Sequence, residues 1–138
     1  MAAHHDPADL RTHFQAQYTE RISRAERLLE ERALGHAVGL HGYTTLAQAQ
    51  LLAEVLALGP SDLLLDLGTG RGWPGLHLAR TTGCQLLALD IPLEAVGRAH
   101  AAMEPARAGR LCAGLVADGR AVPLGPHTVD AVVHADSF

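Results

Sequence analysis

Lysine is absent from the chain's 138 residues, and all 11 basic side chains are arginine. That absence excludes a phosphate-loop NTPase of the G-x-x-x-x-G-K-S/T type, a kinase-type lysine and any Schiff base formed on this chain. Aromatic residues make up only 4%. No apolar run reaches the roughly 18 residues that a membrane-spanning helix needs. The opening Met1-Ala2-Ala3-His4-His5-Asp6 lacks a basic stretch followed by an apolar one, so no secretory signal is expected. Cys84 and Cys112, the two cysteines, make neither a disulfide framework nor a zinc pattern. They read as reduced core residues of a cytoplasmic protein. The net charge of −4 supplies no basic stripe, which speaks against nucleic acid as a partner.

What is present is a globular composition, 48% hydrophobic and 19% charged, at a length suited to one real core. Residues 1–60 read as a helical preface. Asp6 as N-cap, Pro7 at the first helical position and Asp9 in the first turn open a long amphipathic helix. Its apolar stripe runs through Leu10, Phe14, Tyr18, Ile22, Ala25 and Leu29, and Gly35 ends it. Charges between Arg21 and Arg32 alternate in sign, the pattern of a solvated face. A glycine-punctuated loop over 35–44 follows. Thr45-Leu46-Ala47-Gln48 then forms a capping box for a second helix that passes through Leu52, Val55 and Leu56 and stops at Gly59-Pro60.

From residue 61 the pattern alternates. Strands are predicted at 62–67, 85–90, 111–117 and 129–135, with helices at 74–80 and 92–103. This is the signature of an α/β fold with a parallel, doubly wound sheet. The informative segment is Asp66-Leu67-Gly68-Thr69-Gly70-Arg71-Gly72-Trp73-Pro74-Gly75, a strand feeding closely spaced glycines and then a helix. Such glycines allow a tight turn and close approach of a ligand to the backbone. Dinucleotide binding wants G-x-G-x-x-G. Counted from Gly68, the third glycine position is Trp73, too bulky for the close packing required. Asp66, two residues before the first glycine, would repel a pyrophosphate and favour a cationic ligand.

These residues resemble the first motif of the class I S-adenosylmethionine-dependent methyltransferases. The resemblance continues, in order, at Asp90, at Ala117-Asp118-Gly119 and at Val129-Asp130-Ala131-Val132-Val133. It covers residues 61–138 as a Rossmann-like S-adenosylmethionine-binding half-domain of strand order 3-2-1-4. Residues 1–60 are similar to the N-terminal helical cap of small-molecule members. The resemblance implies a methyltransferase acting on a small-molecule acceptor, with S-adenosylmethionine as cofactor. It implies that Asp66 and the Gly68 backbone serve the methionine ammonium region, with Gly70 and Gly72 shaping the turn. Free N–H groups of the following helix start would favour the methionine carboxylate. Asp90 would accept the ribose hydroxyls, Ile91 would lie against adenine, and Asp118 would accept from the adenine amine with the Gly119 N–H nearby. The plainer roles of Asp90 and Asp118 are helix capping and loop solvation.

Asp130 reads as structural, Trp73 as packing, and Arg71 as either a ligand partner or a solvated side chain. His134 and Asp136, with Ser137, stand at the end of the fourth strand, where a catalytic base would come from; histidine is the side chain best suited to that task near neutral pH. His134 can equally line the cofactor site through its backbone. His36, His41 and Tyr43 sit in the glycine loop, placed to close over the cofactor, and two histidines without further ligands do not make a metal site. Against the seven strands of the full family sheet, four are expected here, so the fold reads as an incomplete, truncated methyltransferase. The fourth strand would be an apolar edge, open to self-association or to a completing subunit. Two other readings stand beside this one: an S-adenosylmethionine-binding module without turnover, and a nicotinamide-dependent oxidoreductase, which Trp73 and Asp66 disfavour.

Overall fold

A computed structural model of the chain describes residues 12, 15–16, 21–35, 37, 43–103 and 112–135. Within them lie helices α1 (Arg24–Leu34) and α2 (Leu46–Leu56), then β1 (Leu63–Leu67), α3 (Gly75–Thr82), β2 (Gln85–Asp90), α4 (Leu93–Met103), β3 (Cys112–Val116) and β4 (Ala131–Val133). A short 3-10 turn spans Gly119–Ala121. The four strands form one sheet of order β3-β2-β1-β4, every pair parallel. This is the order expected from the alternating pattern.

The central pair explains the sheet. Leu64, Leu65 and Asp66 of β1 and Leu86, Ala88 and Leu89 of β2 are all buried, as strands covered on both faces require. Leu78 and Ala79 of α3, Ala99 and Met103 of α4, and Cys84 and Cys112 complete the core. Both thiols are free, and burial pushes that of Cys84 up, which keeps it protonated. Ala53 of α2 joins the same core, with Leu52 and Leu56 packed against it. Among the described residues, no helix is long and apolar enough to cross a membrane.

The N-terminal half departs from the sequence pattern. Residues 21–23 are not helical, and α1 begins afresh at Ser23. A capping box explains the restart: the Glu26 amide donates to Ser23 Oγ at 3.2 Å, and the Ser23 amide donates to the Glu26 carboxylate at 2.7 Å. The break resets the helical phase, so the expected stripe does not continue. Leu29 is 67% exposed, while Glu30 is buried. The proposed start at Asp6 and the positions Leu10, Phe14 and Tyr18 lie outside the described residues. Gly35, with φ of 79°, does cap α1. The Thr45–Gln48 capping box forms as read, but Val55 of α2 is 71% exposed and turns away from the core.

Candidate functional site

Three strand ends meet along one edge of the sheet, where open α/β sheets hold their ligands. The turn after β1 takes the left-handed backbone that its glycines permit, with φ of 73° at Gly68, 53° at Gly70 and 98° at Gly72. Its amides stitch it to the end of β2. Those of Gly68 and Thr69 both donate to the Leu89 carbonyl, at 2.8 and 2.9 Å, and that of Gly70 donates to Asp90 Oδ2 at 2.8 Å. One strand further, the Ala117 amide donates to the Asp90 carbonyl at 3.0 Å. The structure therefore brings Gly68, Gly70, Gly72, Asp90, Ile91, Asp118 and Gly119 together at the C-terminal ends of β1, β2 and β3.

Asp66 points inward. It is 0% exposed, and its Oδ2 accepts from Thr69 Oγ1 at 2.9 Å and from the Gly75 amide at 3.2 Å. Its Oδ1 is buried with no hydrogen-bond partner. Burial is the dominant effect and pushes the carboxyl up to about 7; the two donors pull the other way, and neighbouring Asp90 adds a little more upward push. Asp66 is thus poised between neutral and charged near pH 7, which revises the expectation of a fixed anion at this position. Gly75 makes the arrangement sterically possible: a Cβ there would overlap Asp66 Oδ2 and lie 2.8 Å from Asp66 Cβ.

Two amides at the start of α3, where open N–H groups were expected, are engaged within the chain. The Gly75 N–H goes to Asp66, and the Leu76 N–H goes to the Gly72 carbonyl at 2.8 Å. These local bonds close the first turn of a helix whose N-cap, Pro74, supplies no side-chain acceptor.

Asp90 is half-buried at the end of β2. Its Oδ2 takes the Gly70 amide, and its Oδ1 takes the amide of Ile91 at 2.8 Å. Burial raises its pKa, and the two amides offset part of that rise. Each oxygen makes one of the roughly two hydrogen bonds that a carboxylate oxygen can accept. Ile91 presents apolar surface beside it.

Asp118 follows β3 and caps the 3-10 turn, accepting the Arg120 amide on Oδ1 at 2.9 Å. The Arg120 guanidinium also grips it, with Nε 3.1 Å from each oxygen and Nη2 2.6 Å from Oδ2. These bonds hold the Asp118 carboxyl down at about 2. The capping role weighed for Asp118 is therefore the one this structure displays.

His134 follows β4 and is exposed, and Tyr43 is exposed ahead of α2. Asp136, Ser137, His36 and His41 lie outside the described residues. Asp130 is structural as read: its Oδ2 accepts the Leu63 amide at 2.8 Å and its own amide returns to the Leu63 carbonyl at 2.9 Å, fastening the approach to β4 onto β1. Trp73 packs as read, with Nε1 donating to the Thr44 carbonyl at 3.0 Å; that bond ties the segment before α2 to the glycine turn. Arg71 is half-buried. Sequence reasoning missed Thr69 and Gly75, the two donors to Asp66, and Arg120. The signal for Arg120 was an acid followed two residues later by arginine, a spacing that lets a cap and a guanidinium fork close on one carboxylate.

Residues 65–138 match the family model described as "Methyltransferase domain". No curated protein matches the chain. Among solved structures, a chain in the complex of the Haloferax volcanii Trm112 methyltransferase activator with a methyltransferase is similar over 88% of this chain and 46% of that one, at 23% identity and a TM-score of 0.62. An S-adenosylmethionine-dependent methyltransferase from Thiobacillus denitrificans, in complex with S-adenosylhomocysteine, is similar over 86% of this chain and 45% of its own, at 22% identity and a TM-score of 0.59. A cyclase, SpnF, is similar over 62% of this chain and 32% of its own, at 26% identity and a TM-score of 0.55. The chain thus spans less than half the length of each of these structures.

Proposed function

We infer that this chain, which belongs to the methyltransferase domain family, binds S-adenosylmethionine at the strand-end cradle and serves methyl transfer to a small-molecule acceptor. One observation carries the reading: a glycine turn, Asp90 and Asp118 stand on three successive parallel strand ends, tied to one another by backbone bonds. The side chains at this edge fit the ligand's chemistry. Carboxylates only accept hydrogen bonds, and the nucleoside offers donors in its ribose hydroxyls and adenine amine. Asp90 keeps acceptor capacity for the hydroxyls, Ile91 offers an apolar face for the base, and Asp118 is the acceptor for the amine. Gly68, Gly70 and Gly72 keep the turn open for close approach. Asp66 serves the site by holding the turn against α3.

The cofactor brings a methyl group already activated on a sulfonium. The chain's own residues then have to bind and align, and to remove a proton only where the acceptor carries one. His134 and Asp136 remain the candidates for that proton. Tyr43 and the segment before α2, anchored through Trp73 to the turn, are placed to cover the cofactor. The segment over 1–60 is the part we assign to the acceptor side. β4 is an outer strand among the described residues, and its Val132 is half-exposed, so a further strand or a second subunit would pair there. Buried free thiols favour a reducing, cytoplasmic setting. A binding module without turnover is the second reading. The nicotinamide reading is disfavoured by Trp73, buried where a dinucleotide fold needs its third glycine.

Thermal denaturation with S-adenosylhomocysteine or NAD tests the reading: stabilisation by the former alone is expected, and stabilisation by NAD alone refutes it. Asp90→Ala should weaken S-adenosylhomocysteine binding by about 1–3 kcal/mol in calorimetry, the cost of buried hydrogen bonds left unmade. Unchanged affinity removes Asp90 from the site.

A further inference from the structure

We propose that Arg120 is a latch on the carboxylate that accepts the adenine amine: it closes on Asp118 in the free protein and has to swing clear before a ligand donor can take its place. This rests on the cofactor reading above. The observation is one of occupancy. A carboxylate has about four acceptor positions, two on each oxygen. Asp118 Oδ1 receives the Arg120 amide at 2.9 Å and Nε at 3.1 Å, while Oδ2 receives Nε at 3.1 Å and Nη2 at 2.6 Å. These four contacts come from three N–H donors of one residue, the single Nε hydrogen being shared between the two oxygens. The backbone bond belongs to the cap of the 3-10 turn and can stay. The guanidinium contacts are the removable ones, and the shortest of them lies on Oδ2.

Among the described residues, Asp118 is what holds the guanidinium. Its hydrogen bonds are the ones just given, and it is 77% exposed, so water can receive it when it leaves. The latch is therefore weak, as exposed ion pairs are, and salt loosens it. It discriminates among ligands: one that brings a donor to Asp118 recovers what opening costs, and one without that donor leaves the latch shut.

The experiment is calorimetry on the full chain and on Arg120→Gln, with S-adenosylhomocysteine and with its analogue whose purine lacks the 6-amino group. The substitution should tighten S-adenosylhomocysteine binding by about two- to fivefold and leave the analogue unchanged. The difference between the two proteins should shrink as sodium chloride is raised. Arg120→Lys keeps the charge but loses the fork and should fall between them; it carries the test if Arg120→Gln fails to give the wild-type circular dichroism spectrum. Equal or weaker binding of S-adenosylhomocysteine by the variants overturns the latch and leaves the cofactor reading standing. Equal tightening of both ligands also overturns it, because the effect would then be one of overall charge. No binding by any of the proteins overturns the cofactor reading and the latch with it.

Discussion

Asp66→Asn isolates the one carboxyl whose charge the fold resists. In the folded chain Asp66 is fully buried and its pKa stands at about 7, against an ordinary value of 3.8. Raising a pKa by one is worth about 1.4 kcal/mol, so a rise of about three amounts to roughly 4 kcal/mol. The direction follows from proton counts. Between pH 4 and pH 7 the folded chain holds the proton and the unfolded chain has released it, so stability falls as pH rises through that window and levels off above it. Asparagine keeps an acceptor for Thr69 Oγ1 and the Gly75 amide and carries no charge at any pH. Urea unfolding of both proteins at half-unit steps from pH 4 to pH 8 gives the difference in unfolding free energy. That difference, wild type minus variant, should fall by about 1.4 kcal/mol per pH unit and by roughly 4 kcal/mol overall. Other carboxylates titrate in both proteins and cancel. Whatever the amide itself costs is the same at every pH, so the slope is the readout. Parallel stability curves would refute the claim that burial keeps Asp66 neutral in acid.

Gly75→Ala sets a Cβ 2.8 Å from Asp66 Cβ and should lower stability by about 1–3 kcal/mol, as overpacking does, seen as an earlier urea midpoint with an unchanged slope. Thr45→Ala removes the acceptor for the Gln48 amide and should cost about 1 kcal/mol by the same measurement.

The sheet was legible because its signals are local and consistent. Continuous apolar runs at 63–65 and 86–89 are best satisfied by burial on both faces, and the glycines and caps between them leave little choice of connection. The first helix was misread because a stripe of apolar residues spaced by three and four cannot reveal a break. The Ser23–Glu26 box that makes the break was visible in the chain, but the periodicity around it outweighed a single cap. Exposure of Leu29 and Val55 was not legible, since which face of a helix is covered depends on partners far along the chain. At the site, the family resemblance carried the positions of Asp90 and Asp118, whereas the direction of each carboxylate depends on the donors that surround it. Asp90 met the Gly70 amide 20 residues away, and Asp118 met its own neighbour.

That difference changes the electrostatic account of the cradle. A ring of three acids would attract a cationic ligand strongly, but the acids are not equivalent. Asp66 faces the interior, holds its proton readily and spends its hydrogen bonds on Thr69 and Gly75. Asp118 is charged, yet Arg120 neutralises it at contact distance. Asp90 alone of the three joins partial exposure to spare acceptor positions and, among the described residues, no cationic hydrogen-bond partner. A ligand reaching this edge therefore meets one uncompensated acid rather than three, and its donors, more than its net charge, decide how well it is held. Affinity for a sulfonium ligand should then differ little from that for its neutral thioether, because the charge difference falls where the chain offers little opposing charge. The comparison of S-adenosylmethionine with S-adenosylhomocysteine by calorimetry at low and moderate salt checks this: near-equal affinities with a shallow salt dependence support it, and a sulfonium preference that fades steeply with salt refutes it.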